Sequence, residues 1–202
     1  MLATPLPGLD RLLERGSRHD FPLEALPAGR APPRARALLA GMPVDPLLAA
    51  AYARLGGPVV GAEKHVLMRC DDEVDALLLE NTEWQSHFPH ESWPEHFRDL
   101  VLFGADMRYR YATVPALANP EGLQPVVFLD PYQTLYALPI ASDVNQFFET
   151  YSHYVELMAE DPEYKARGAS MIGLPWGTPE LIARDRPLIG MIQEGRFDRL
   201  MY

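Results

Sequence analysis

The clearest apolar periodicities fall between Arg98 and Met158. Leu100 to Phe103 is an apolar run closed by Gly104, and Met107 to Val114 alternates Met107, Tyr109, Tyr111 and Thr113 against Arg108, Arg110, Ala112 and Val114. The alternation predicts a strand whose arginine face meets solvent or acidic neighbours. Val126-Val127-Phe128-Leu129 is apolar at every position, as in a strand covered on both faces, and Leu135 to Leu138 reads as a shorter one. Ser142 then stands where it could cap a helix in which Val144, Phe147, Phe148, Tyr151, Val155 and Met158 keep a 3.6-residue period.

Earlier in the chain, Asp45 to Leu55 has the marks of a helix. Asp45 suits the N-cap, Pro46 the first helical position, and Gly56-Gly57 with Pro58 behind supplies a stop. Leu47, Leu48, Ala51, Tyr52 and Leu55 form its buried stripe. Leu9, Leu12 and Leu13 share one face of a shorter amphipathic helix that docks on the core. Gly29 to Arg36 is basic, proline-rich and poor in apolar residues, so it reads as a surface loop. Val59-Val60 and His65 to Cys70 read as short extended segments with Gly61 turning between them.

Asp71 and Asp72 open a helix running through Val74, Leu77, Leu78 and Trp84, where carboxylates complement the helix dipole. Near the C-terminus, Pro179 to Arg184 and Pro187 to Arg199 read as two further helices. The pattern predicts an α+β fold with an antiparallel or mixed sheet of about five or six strands flanked by helices. One domain spans residues 1–202, divided into an N-terminal extension (1–44), a core (45–158) and a C-terminal helical extension (159–202).

Composition agrees with a folded chain: 48% of residues are hydrophobic, while 20 prolines predict interrupted elements. The one cysteine, Cys70, rules out an intrachain disulfide and fits a reducing compartment. The N-terminus lacks a basic region followed by an apolar run, and no stretch approaches the roughly 20 apolar residues of a spanning helix. The expected location is the cytoplasm.

Charge changes the picture more. The net charge is −10, and it is concentrated: residues 71–106 carry one arginine against ten carboxylates, while residues 1–70 carry nine Lys/Arg against six Asp/Glu. Such a segment disfavours nucleic acid and anionic membranes and favours a basic protein surface. The plainer alternative is a solvated face.

Recognised catalytic patterns are missing. Glycine-rich phosphate loops, Gly-x-Ser-x-Gly and His-Glu-x-x-His do not occur. His87, His90 and His96 cluster with Glu91 and Glu95, but Pro89 prevents a regular helix from presenting His87 and His90 together. On a strand, the five-residue offset from His65 to Cys70 puts the two side chains on opposite faces, so a buried structural cysteine is the reading. The expectation is a protein that is not an enzyme, with no metal and no cofactor. The most suggestive constellation is acidic and aromatic: Glu80, Glu83, Trp84, Glu91, Trp93, Glu95 and, beyond them, Asp106 form the candidate partner-binding set. Two other classes stay open, an enzyme of unrecognised type using a His/Glu site in residues 87–96, and a regulatory scaffold.

Several of these features occur in an order that resembles a known family. They are a helix ending in Gly-Gly (Tyr52 to Gly57), an acidic connector with a tryptophan, and a strand closing on Phe103-Gly104-Ala105-Asp106. Then follow an aromatic strand, an apolar strand (Pro125-Val126-Val127-Phe128-Leu129-Asp130), and Ala141-Ser142 leading into a helix with Phe147-Phe148. Over about residues 45–158 this is similar to the SUKH superfamily, bacterial immunity proteins related to a fungal cell-wall regulator. The resemblance implies an α+β fold without a catalytic centre. It also implies a cytoplasmic role in neutralising a toxin, here by an acidic, aromatic surface on a basic toxin domain, by a monomer or homodimer. The chain departs from the family in its long tails and in Met107-Arg108 after Asp106, where many members have small or acidic residues.

Overall fold

The computed structural model describes residues 4–19, 23–29, 44–60, 64–71, 73, 75–86, 97, 99–106, 109–130, 136–167, 172–198 and 200. In chain order the elements are α1 (Pro7–Arg18), β1 (Leu23–Pro27), α2 (Pro46–Arg54), β2 (Leu55–Val60), β3 (Lys64–His65) and α3 (Ala76–Ser86). They continue with β4 (Val101–Asp106), β5 (Tyr109–Thr113), β6 (Val126–Asp130), β7 (Tyr136–Ala141) and α4 (Val144–Glu160). Short helices α5 (Pro162–Arg167), α6 (Pro179–Ile182) and α7 (Arg186–Gln193) complete the chain.

The fold class is α+β, and every strand pair is antiparallel. A β4–β7 meander and the β1–β2 pair are bridged by the two-residue β3, so the strands follow sequence order. Among the described residues the count with β3 is seven, slightly more than expected. Each strand of the meander lies beside its predecessor, so neighbours in sequence are neighbours in space.

β6 is buried at all five positions: Val126 to Leu129 are apolar throughout, as a strand covered on both faces requires, and Asp130 at its end is buried with them. On β5, Tyr111 and Ala112 are both fully buried, so this strand too is covered on both faces in its middle. The expected alternation therefore does not appear in the burial; Tyr111 pairs in register with Phe128 and meets α4 through Phe147, with ring centroids 5.0 Å apart. Phe103 reaches the same ring edge-on at 5.2 Å.

Aspartates fix the starts of α2, α4 and α7, and two of them, Asp45 and Asp185, are buried. Asp45 Oδ1 accepts from the Leu47 and Leu48 amides at 2.7 and 2.9 Å, while Oδ2 accepts from the distant Gln124 amide at 2.6 Å. One side chain therefore caps α2 and ties it to the loop before β6. The cap of α4 is Asp143, which accepts from Gln146 N at 2.7 Å, and not Ser142 as the sequence suggested. Ser142 instead donates its amide to Asp185, the residue that caps α7 through Leu188 N.

Gly56-Gly57 does not lie beyond a helix end in a turn. α2 stops at Arg54 and the glycine pair sits inside β2, where the β1 register slips between Leu26 and Pro27. Gly57 has φ +127°, and a Cβ on Gly56 would lie 2.3 Å from the Pro27 carbonyl oxygen. The pair is needed for the irregular close pairing of two strands.

α1 lies along α4. Gly8 N donates to Asn145 Oδ1 at 2.8 Å, Arg11 pairs with Glu149, and Arg15 meets Ser152 and Glu156. Contacts advance in the same direction on both helices, so the two run parallel. A Cβ at Gly8 would stand 2.2 Å from the Asn145 carbonyl oxygen, which is why the closest approach falls there. Leu6, Leu9 and Leu12 of this end join Phe197 and Leu200 of the other in one hydrophobic core with the sheet and α4. Among the described residues, no helix is long and apolar enough to cross a membrane.

Candidate functional site

The acidic stretch reaches the structure as α3 and the turn before it. Residues 71–86 contain six carboxylates and no lysine or arginine. Arg69, just upstream, draws Asp71 and Glu73 around its guanidinium, the second at 2.9 Å. Its carbonyl accepts from the Ala76 amide at 2.8 Å, and Asp75 Oδ1 accepts from Leu78 N at 3.0 Å, which together start α3. The helix begins four residues later than Asp72 because Asp75 is the carboxylate placed to cap it.

Leu77, Asn81 and Trp84 repeat at i, i+4 and i+7 and face inward. Asn81 is the hinge pin of this contact. Its Nδ2 donates to the carbonyls of Leu77 and Leu102 at 2.8 Å each, and its Oδ1 accepts from Leu102 N at 2.9 Å. Beside the irregularity at Phe103, where the β4–β5 register slips, the amide side chain takes the place of a neighbouring strand. Trp84 is 7% exposed and donates its indole N–H to the Phe97 carbonyl at 2.9 Å.

The residues nominated from sequence therefore separate. Trp84 belongs to the core, a correction with a plain cause: its indole fills the inner face of α3 and its N–H satisfies a buried carbonyl, so it offers no ring to a partner. Asp106 is also a correction. It ends β4 at 7% exposure, in register with Tyr109, and its charge adds to burial in raising the hydroxyl pKa of Tyr111, Tyr151 and Tyr154. Those phenols stay protonated throughout the physiological range, and Asp106 lies among them, not on a docking face.

Glu80 is half-buried and accepts from Arg110 Nε at 3.1 Å, so the arginine face of β5 does meet an acidic neighbour. Glu83 is exposed on the outer side of α3 with Thr82 and Ser86. Glu91, Trp93 and Glu95 lie outside the described residues, as do His87, His90 and His96. Among the described residues, no three His, Cys, Asp or Glu side chains come together as a metal ion would require. Cys70 is buried, with its backbone bridged to Asp75.

One outward residue escaped the sequence reading. Leu79 is 58% exposed, more than any other large hydrophobic side chain described. The signal was present: Leu77-Leu78-Leu79 spans about 200° of a helix, wider than an apolar stripe, so one of the three has to face water. Trp176, at 51%, is the other large exposed apolar side chain, but its ring packs on Phe128 and Tyr109 at centroid distances of 4.8 and 5.3 Å.

Neither the protein-family models nor the curated proteins nor the solved structures contain a match to this chain.

Proposed function

We propose that this chain is a non-catalytic, cytoplasmic binding protein of the SUKH-like immunity kind, which neutralises a toxin by docking an acidic surface on a basic domain. The observation that carries the reading is the excess negative charge of residues 71–86, six carboxylates of which Asp71, Glu73 and Glu80 are paired with the flanking Arg69 and Arg110, running into a helix held to the sheet by Asn81 and Trp84. A helix pinned from inside holds Glu83 on its outer face, and an excess of negative charge along this stretch would speed and orient association with a basic partner. The order of elements, an antiparallel meander followed by the long α4, is also the order on which the family resemblance rests.

The test begins with the gene next to that of this chain. A toxin domain encoded there is expected to stop growth alone, and to be tolerated when this chain is co-expressed and forms a complex with it. Reversing Glu83, Glu91 and Glu95 to lysine is expected to lower the association rate about tenfold or more at low salt and to flatten its salt dependence. Glu80 is left in place because it pairs with Arg110. Persistent growth arrest on co-expression, or an association rate indifferent to both salt and charge reversal, would sink the reading.

A further inference from the structure

We draw no further inference here: the strongest candidate, the surface patch around the exposed Leu79 on the outer face of α3, carries nothing because the nearby carboxylates Glu80 and Glu73 are paired with Arg110 and Arg69, and nothing in the structure shows what covers it.

Discussion

α4 and α3 both pack on the sheet, but they are held there in different ways. α4 lies against it through area: Phe147, Phe148, Tyr151, Tyr154 and Val155 are at most 1% exposed, and Phe147 alone touches the rings of Phe103, Tyr111, Phe148 and Tyr151. α3 buries Leu77 and Trp84, and is registered by hydrogen bonds from two side chains to backbone groups of Leu102 and Phe97. A helix fixed by area has an outer face that others can cover, as α1 covers α4. A helix fixed by a few directional bonds keeps its orientation with little area, and its outer face remains in water.

The sharpest break of this comparison is at Phe147. Phe147→Ala empties the centre of an aromatic cluster that cannot collapse around it, and a loss of about 3–5 kcal/mol is expected in urea or guanidinium unfolding. Asn81→Leu is the counterpart on α3. The shape is nearly kept, but the N–H and C=O of Leu102 lose their partner inside the protein, so about 2–3 kcal/mol is expected. The two variants differ in kind as well as size. Asn81→Leu is expected to raise hydrogen exchange at the Leu102 amide and across α3 while leaving α4 protected, whereas Phe147→Ala lowers protection throughout the meander. Equal and global losses in both would show that α3 is not separately held.

What was legible in the sequence follows the same division. The α4 period and the buried β6 run are area patterns, and they were readable because burial repeats with the geometry of the element; the alternation of β5 gave the strand but not its burial, since Tyr111, Ala112 and Thr113 are buried without a break. α1 was readable from Leu9, Leu12 and Leu13 alone. The roles of Asn81, Trp84, Asp143 and Asp185 were not, because each is defined by a backbone group far along the chain or by one residue of cap placement. Glycine was misleading at Gly56-Gly57: a stop signal and a strand irregularity both call for a residue without Cβ, and only the pairing with Pro27 distinguishes them. The acidic stretch was legible as charge, but Trp84, nominated with it, belongs to the core, since tryptophan among acids looks the same whether it is an anchor or core.

The smallest effect concerns the covered outer face of α4. His153 stands between Glu149 and Glu156, with Nε2 3.3 Å from the first and Nδ1 3.6 Å from the second, and these glutamates also bind Arg11 and Arg15 of α1. Burial first, then the positive charge of Arg15, lowers the His153 pKa below its ordinary value of 6.5, against the pull of the glutamates. A depressed histidine favours the neutral form in the folded chain. Its contribution to stability is therefore full above pH 6.5 and is lost as the pH falls through the folded value, where the unfolded chain binds the proton more readily. Asp45 and Asp143, raised by burial, act with the opposite sign at lower pH, their contribution being complete below 3.8 and lost as the pH rises through their folded values. They are common to wild type and His153→Gln, as are the other histidines, so the difference between the two melting curves isolates His153. That difference is expected to change between pH 7.5 and 5.5, with the wild type losing more Tm on acidification than the variant. Parallel Tm profiles would mean that the seam between α1 and α4 is held by the arginine–glutamate pairs and apolar area alone, with no part for the histidine in the middle of it.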